Sequence, residues 1–370
     1  MTRVLIAAGG TGGHIYPGIA VAKEVMRRDA GSVVRFVGTA RGLENRLVPQ
    51  AGFELSLIES AGLVNMGLAA RMRGLLILPR SFVGARRVIK EFRPDVVVGA
   101  GGYVSGPVLL SAALMRVPTL VMESNAVPGF TNRRLARFVD AAAVSFEAAL
   151  PYFGGKGVVI GNPVRREFFE VPAKRRDPSR FSLLVFGGSQ GARAVNEAMM
   201  AALPHLSAHA GVLRVTHQTG KLDFERVRDA YAAAGWNERA EVREYIDDMV
   251  SAFAVSDLIV SRAGATTSFE LMAAGKAALM VPLPGQLEQT RNAEVLQEAG
   301  AARMILQSEL SGERLAREIN ELVEEPDRVT RMEEAARKLA RGDAAGAAVD
   351  LIERLLSVQR SALGGQPDKS

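Results

Sequence analysis

The residues able to do chemistry in this chain cluster at the ends of apolar runs. Val4–Ala8 leads into Gly9-Gly10-Thr11-Gly12-Gly13 and then His14. A glycine-rich turn at a helix start bares backbone N–H groups and the positive end of a dipole, which suits a diphosphate. An imidazole at such a helix start is held neutral and can accept a proton. A histidine packed inertly against the turn fits the same motif. A second turn of this kind, Gly187-Gly188-Ser189-Gln190-Gly191, follows Leu183–Phe186. Further on, Ser261 to Glu270 runs from a strand into a helix. Thr267 and Glu270 have the spacing of a capping box. Glu270 equally suits a carboxylate that takes both hydroxyls of a ribose, and the pattern does not decide. Gly101-Gly102-Tyr103-Val104-Ser105-Gly106-Pro107 and Glu123-Ser124-Asn125 also sit at strand ends, where open parallel sheets bind ligands. Gln286, Glu288, Gln289 and Asn292 offer the mixed donors and acceptors that sugar hydroxyls need. An ordinary polar loop has the same composition.

Other chemistries fit poorly. The dinucleotide fingerprint Gly-x-Gly-x-x-Gly fails at Ile15, and the second strand ends in Gly38-Thr39 with no acidic ribose ligand, which counts against a nicotinamide enzyme. The chain has no cysteine, so it has neither a disulfide scaffold nor a thiolate site. His205 and His209 have zinc-like spacing but no third ligand, and read as a helix surface. Asp247-Asp248 is not a metal–nucleotide motif. No metal and no cofactor are expected.

These turns need strands and helices to hold them. Strands are predicted in the first half at Arg3–Ala8, Val33–Val37, Asp95–Gly99, Thr119–Met122, Ala141–Val144 and Val158–Ile160. In the second half they are predicted at Leu183–Phe186, Leu213–Thr216, Glu241–Arg243, Leu258–Ser261 and Ala278–Val281. Amphipathic stretches such as Gly18–Arg28, Arg80–Phe92 and Ala192–Leu203 separate many of them. Buried strands alternating with helices read as parallel α/β sheets. The repeated turn implies two Rossmann-like domains joined near Gly161-Asn162-Pro163. Expected boundaries are 1–161 and 164–340, then a C-terminal helix over 341–360 packing back on the first domain and a disordered tail over 361–370. Val171–Pro178 reads as a surface loop.

With 370 residues, 48% hydrophobic and 23% charged, the composition excludes wholesale disorder. Residues 1–161 carry a net charge of +9 and residues 162–370 carry −3, so any anionic partner is expected on the first half. Arg71, Arg73, Arg80, Arg86, Arg87, Lys90 and Arg93 interleave with Leu75, Leu76, Ile77, Leu78, Phe82 and Val83, the pattern of a membrane-surface element. A core-facing helix with a solvated basic face is the alternative. No secretory signal is visible, and no run of about 20 apolar residues could cross a bilayer.

Taken in order, these motifs resemble the MurG family of peptidoglycan glycosyltransferases, together with Gly161-Asn162-Pro163-Val164-Arg165 and Tyr245-Ile246-Asp247-Asp248-Met249. The resemblance covers about residues 3–355. It implies an α/β GT-B fold, two Rossmann-like parallel-sheet domains facing across a cleft. It implies inverting transfer of N-acetylglucosamine from UDP-GlcNAc to the 4-hydroxyl of lipid I, at the cytoplasmic face of the inner membrane, with no nucleic acid involved. By position, Ile246 would meet uracil through its backbone and Glu270 the ribose. Ser189, Arg165 and Ala265-Thr266-Thr267 would hold the diphosphate, and Asn125 and Gln289 the sugar hydroxyls. His14 and Tyr103 would line the acceptor side, and Thr11, Gly12 and Gly13 would serve acceptor and donor. Glu288 departs from the family's usual His or Gln. The basic and apolar stretch points to an anionic membrane surface as a further partner, docked by Arg71, Arg73, Leu75–Leu78, Arg80, Phe82 and Arg86. Alternatives are a nicotinamide oxidoreductase, a non-catalytic nucleotide-sugar binder and a UDP-GlcNAc 2-epimerase.

Overall fold

A computed structural model describes the backbone of residues 1–40, 42–60 and 68–364, and the side chains of these except 68–76 and 362–364. The chain divides into two compact units, Met1–Val164 with Asp343–Ser370, and Arg165–Gly342.

The first unit runs β1 (Arg3–Ala8), α1 (Gly12–Arg28), β2 (Val33–Gly38), α2 (Glu44–Gln50), β3 (Glu54–Leu57), α3 (Leu68–Phe92), β4 (Val96–Gly101), α4 (Ser105–Leu114), β5 (Thr119–Glu123), α5 (Phe130–Leu135), β6 (Ala141–Val144) and β7 (Gly157–Val159). The second runs β8 (Phe181–Phe186), α6 (Arg193–Ala202), β9 (Leu213–Gln218), α7 (Phe224–Ala233), β10 (Ala240–Arg243), α8 (Met249–Val255), β11 (Leu258–Ser261), α9 (Ala265–Ala274), β12 (Ala277–Met280), α10 (Leu287–Glu298), β13 (Ala302–Met304), α11 (Gly312–Glu324) and α12 (Pro326–Leu339). The last helix, α13 (Ala344–Gly364), returns to the first unit.

Both sheets are parallel, ordered β3-β2-β1-β4-β5-β6-β7 and β10-β9-β8-β11-β12-β13. Strand order reverses at β1/β4 in one and at β8/β11 in the other. At such a reversal the flanking loops part on opposite sides and open a crevice beyond the strand ends. Every glycine-rich turn of interest lies at one of these two points. The central strands are fully buried runs such as Val4–Ala8 and Leu183–Phe186, as sheets covered on both faces require.

Two strands escape the sequence pattern. β3 is an edge strand with no buried residue, and β13 is an edge strand of three residues carrying an arginine. Helix α1 begins at Gly12, six residues before the expected start, and carries Pro17 inside it. Proline has no N–H to give the carbonyl of Gly13, and the remaining turns carry the helix through. The capping box is also corrected. The N-cap of α9 is Gly264, with no side-chain cap, so Glu270 lies a turn and a half into the helix. Val171–Pro178 is a mostly exposed loop, as expected, with two of its side chains tied inward. Lys174 and Arg176 both reach the buried Asp257, and Arg176 also holds Glu333 at 2.8 Å. His205 and His209 fall on a 3-10 turn, where His209 meets Glu324 at 3.0 Å.

Helix α13 lays Ala348, Val349, Leu351, Ile352 and Leu356 into the core built by β1, α1, β4 and β5. It runs to Gly364, past the expected end at 360, and residues 365–370 lie outside the described residues. Arg28 fixes it laterally, at 2.6 Å from Asp350. Ile352 is 2% exposed. Ile352→Ala should therefore destabilise by about 2–5 kcal/mol. Hydrogen exchange should show the loss in β1, β4 and β5 and leave β8 and β11 protected; equal loss in both sets would contradict this division.

Candidate functional site

In the first unit the turn after β1 and the turn after β4 press on each other. Gly101 and Gly102 have φ of +117° and +82°, which a side chain rarely adopts. A Cβ on Gly102 would stand 2.3 Å from the Gly9 carbonyl, and one on Gly101 would stand 2.4 Å from the His14 ring. These glycines therefore let the imidazole lie against the second turn. Ser105 locks that turn from below, giving its hydroxyl to Ala7 and Gly101 carbonyls at 2.9 and 2.8 Å.

His14 is the third residue of α1. Its Nδ1 lies 3.2 Å from the Gly9 carbonyl. A carbonyl can only accept, so Nδ1 carries the hydrogen and Nε2 presents a lone pair. Burial pushes its pKa below the usual 6.5, against the raising effects of the Gly9 carbonyl and of Glu44. Thr11 is the N-cap residue without a side-chain cap. The N–H groups of Gly12 and Gly13 have no partner among the described residues. The Gly10 N–H is already taken, by Glu44 at 2.9 Å. Glu44 also accepts from the Thr39 N–H and hydroxyl, both at 2.9 Å. It therefore satisfies the turn from within, near the place where a dinucleotide enzyme would show a ribose ligand. Sequence reasoning missed it because it lies six residues beyond the strand and folds back.

Glu123 is a buried hub rather than a ligand group. It accepts from the Asn125 N–H and side chain, the Gly129 N–H and the Asn132 side chain, while burial raises its pKa. Its loop presents Asn125, partly exposed, at the end of β5. Ser124 donates to the Asn162 side chain at 3.2 Å. Tyr103 is 52% exposed.

The second unit repeats the plan with other side chains. Gln218, at the end of β9, donates to the Gly188 carbonyl at 3.0 Å and accepts from the Ile246 N–H at 2.8 Å. One buried amide thus ties the glycine turn after β8 to the loop after β10. Only the Ile246 carbonyl is left for a base, which narrows the expected backbone contact to one group. Ser189 stands exposed on that turn.

Helix α9 starts with no side-chain cap and no acid in its first turn, so the N–H groups of Ala265, Thr266 and Thr267 have no partner among the described residues. Glu270 follows, with its side chain 14% exposed and Arg165 Nη2 at 3.8 Å. Among the described residues no hydrogen bond reaches its carboxylate. Loss of hydration raises its pKa to about 7, partly opposed by Arg165. Arg165 is seated over the Phe168 ring at 4.8 Å. Arg262, also missed, braces the neighbouring loop by donating to the carbonyls of Val281 and Pro282, both at 3.2 Å. In that loop Gln289 accepts from Leu283 N–H and donates to Gln286, each at 3.0 Å. Asn292 is structural, buried and bonded to the Ala263 carbonyl at 3.2 Å.

Arg165, Ser189, Ile246, Ala265–Thr267, Glu270 and Gln289 thus lie in the second unit at the C-terminal edge of its sheet. Thr11, Gly12, Gly13, His14, Tyr103 and Asn125 lie in the first. Among the described residues no cluster suits a metal ion.

Residues 4–144 match the glycosyltransferase family 28 N-terminal domain and residues 182–352 the family 28 C-terminal domain. Fold and matches together define a family 28 glycosyltransferase. A protein of Anaeromyxobacter sp. strain K is 48% identical over 96% of this chain and 93% of its own length. One from Myxococcus xanthus is 46% identical over 96% and 94%. Both are named UDP-N-acetylglucosamine–N-acetylmuramyl-(pentapeptide) pyrophosphoryl-undecaprenol N-acetylglucosamine transferase. The crystal structure of Acinetobacter baumannii MurG superposes with a TM-score of 0.80 at 34% identity, covering 96% of this chain and all of that one. The chain belongs to the MurG family. A UDP-GlcNAc 2-epimerase from Neisseria meningitidis shares the fold, with a TM-score of 0.69 at 15% identity over 95% of this chain and 100% of that one.

The His14 environment makes a direct prediction. In a pH titration by NMR its ring should ionise with a midpoint below 6.5 and carry the neutral-form hydrogen on Nδ1. His217, buried between Tyr231 and Asn196, should stay neutral down to about pH 3. A midpoint above 6.5, or the Nε2–H tautomer, would remove His14 as a base at Nε2.

Proposed function

We propose that the chain transfers N-acetylglucosamine from UDP-GlcNAc to the 4-hydroxyl of lipid-linked muramoyl-pentapeptide, yielding UDP and the β-linked disaccharide lipid. The observation that carries this reading is Glu270, a carboxylate mostly withdrawn from water, accepting no hydrogen bond among the described residues, beside a guanidinium and a turn and a half into a helix whose start has no side-chain cap. Two vicinal ribose hydroxyls are donors of the right number and spacing. A diphosphate next to them would take the N–H groups of α9, the Ser189 turn and Arg165.

The reaction then follows in one displacement. Nε2 of His14 takes the proton from the acceptor hydroxyl. That oxygen bonds to the anomeric carbon, the bond from this carbon to the diphosphate breaks, and the electron pair leaves with UDP. Attack from the opposite side inverts the centre. The α9 dipole and Arg165 meet the charge growing on the leaving group. Gln289 and Asn125 are assigned to the sugar hydroxyls, and Thr11–Gly13 and Tyr103 to the acceptor diphosphate and its sugar.

The acceptor is anchored in lipid, which requires a docking surface. Among the described residues no helix is long and apolar enough to cross a membrane. We assign peripheral docking on the anionic cytoplasmic face to α3. The side chains of Arg71, Arg73, Leu75 and Leu76 lie outside the described residues. Of the rest, Arg80 and Arg86 are exposed, Ile77, Leu78 and Phe82 are half-buried, and Val83 is 69% exposed. Each basic residue near such a surface contributes about 1 kcal/mol. Arg80→Ala with Arg86→Ala should lower partitioning onto anionic vesicles by roughly 30-fold and leave neutral vesicles unaffected. An equal drop on both would refute the electrostatic part.

Glu270 provides the test of the donor site. Its raised pKa favours the folded state below the usual 4.5, and this contribution is lost as pH rises through about 7. Ribose hydroxyls donate to the ionised form, so UDP binding should pull the carboxyl pKa down and expel up to about half a proton at pH 7. Calorimetry in buffers of different ionisation enthalpy measures this release. Glu270→Gln should abolish it and weaken UDP binding about tenfold or more, as a lost charged bond implies. Unchanged UDP affinity in the variant would contradict the assignment.

A further inference from the structure

A second polar cavity lies in the C-terminal unit, sharing no residue with the proposed donor site. It has a volume of about 700 Å³ and is walled by the edge strand β13, the end of α10, and helices α11 and α12. Arg303, Arg314, Arg328 and Arg331 line it, against the two carboxylates Glu318 and Glu321. Those two acids do not saturate the arginines. Arg303 gives only Nη1 to them, lying 2.8 Å from Glu321 and in contact with Glu318. Arg314 gives Nη2 to Glu318 at 2.7 Å. This leaves Nε and Nη2 of Arg303 and Nε of Arg314 buried with no hydrogen-bond partner. Arg328 has only a 3.5 Å contact to Glu325, and Arg331 has no acidic partner among the described residues.

Buried, unpaired guanidinium N–H groups are expensive to leave unmade. They are shut off from the cavity as the fold stands, and rotation of these side chains into it would bring their forks onto two oxygens of a phosphate or similar oxyanion. The lining also includes Met304 and Met332, which would cover an apolar body beside the charged head, and the volume is that of a small-molecule site. We propose that this cavity is a second anion site, one that takes a phosphate- or diphosphate-bearing small molecule. The site sits at the far end of α10 from Gln289. Gln297 of that helix lines the cavity and accepts from the Met304 N–H at 2.8 Å, so an occupant would touch the element that carries a proposed donor contact.

The test uses the full chain with UDP held at saturation, so that the proposed donor site is filled. Inorganic pyrophosphate and glucose 6-phosphate are then titrated by calorimetry. One further equivalent of at least one probe should bind. Arg328→Ala with Arg331→Ala, both near the surface, should weaken it at least tenfold while UDP affinity stays as in the parent. Arg303→Gln should abolish it, and the surface pair covers the case where that variant fails to fold. No binding under saturating UDP, or binding unchanged in the surface pair, would overturn the proposal and leave a purely structural ion cluster. A fall in UDP affinity matching that of the probe would overturn it too, since the probe would then be reporting the donor site. Failure of UDP itself to bind would be seen separately, and would count against the transferase reading.

Discussion

A carboxylate held out of water with nothing to donate to it is the constraint around which the C-terminal unit is arranged. Glu270 does not cap α9, whose N-cap residue is Gly264 and whose start carries no side-chain cap, and among the described residues the glutamate accepts no hydrogen bond. Its nearest charge, Arg165 at 3.8 Å, is itself half exposed and stacked on Phe168. A ligand that brings hydroxyl donors would stabilise a group so placed, whose pKa burial raises to about 7. The uncapped first turn beside it has the same character, since its N–H groups have no partner among the described residues and would suit an anion.

The N-terminal unit solves the corresponding problem in the opposite way. There the acid is turned inward. Glu44 fills the N–H of Gly10 and both donors of Thr39, and so consumes part of the anion-binding capacity of the first glycine turn. What remains at that switch point is a neutral histidine with a fixed tautomer. Its geometry depends on Gly101 and Gly102, whose backbones only glycine can adopt so close to the Gly9 carbonyl and the His14 ring. The same topology, used twice, thus yields a basic nitrogen in one unit and unpaired helix-start N–H groups in the other.

Much of this was legible from residue types. Continuous β-branched runs mark central parallel strands because both faces are buried, and the two glycine turns locate the switch points. The short edge strands were not legible, since β3 and β13 have no apolar run to mark them. Local spacing misled where a backbone contact competed with a side chain. Thr267 and Glu270 look like a capping box, yet the N-cap position falls on Gly264 and no side chain caps the helix. Glu123 looks like a ligand group, yet four donors inside its own loop claim it. Lys174 and Arg176 look solvated because their partners, Asp257 and Glu333, are 80 to 160 residues away. Gln218 gave no signal beyond being a polar residue at the end of a buried strand. The roles of the site residues came from the ordered resemblance, and the geometry supplies a physical reason for Glu270, Arg165 and His14.

The most direct measurement is UDP release from UDP-GlcNAc, with and without a water-soluble analogue of lipid I, together with the sugar product formed. Release should require the acceptor, proceed one for one with a β-linked disaccharide, and fall about fivefold or more in Glu270→Gln at a donor concentration near the parent's half-saturation. Conversion of UDP-GlcNAc without acceptor, to a 2-epimer or to free sugar, would contradict a displacement by the acceptor hydroxyl and point instead to the chemistry of the epimerases that share this fold.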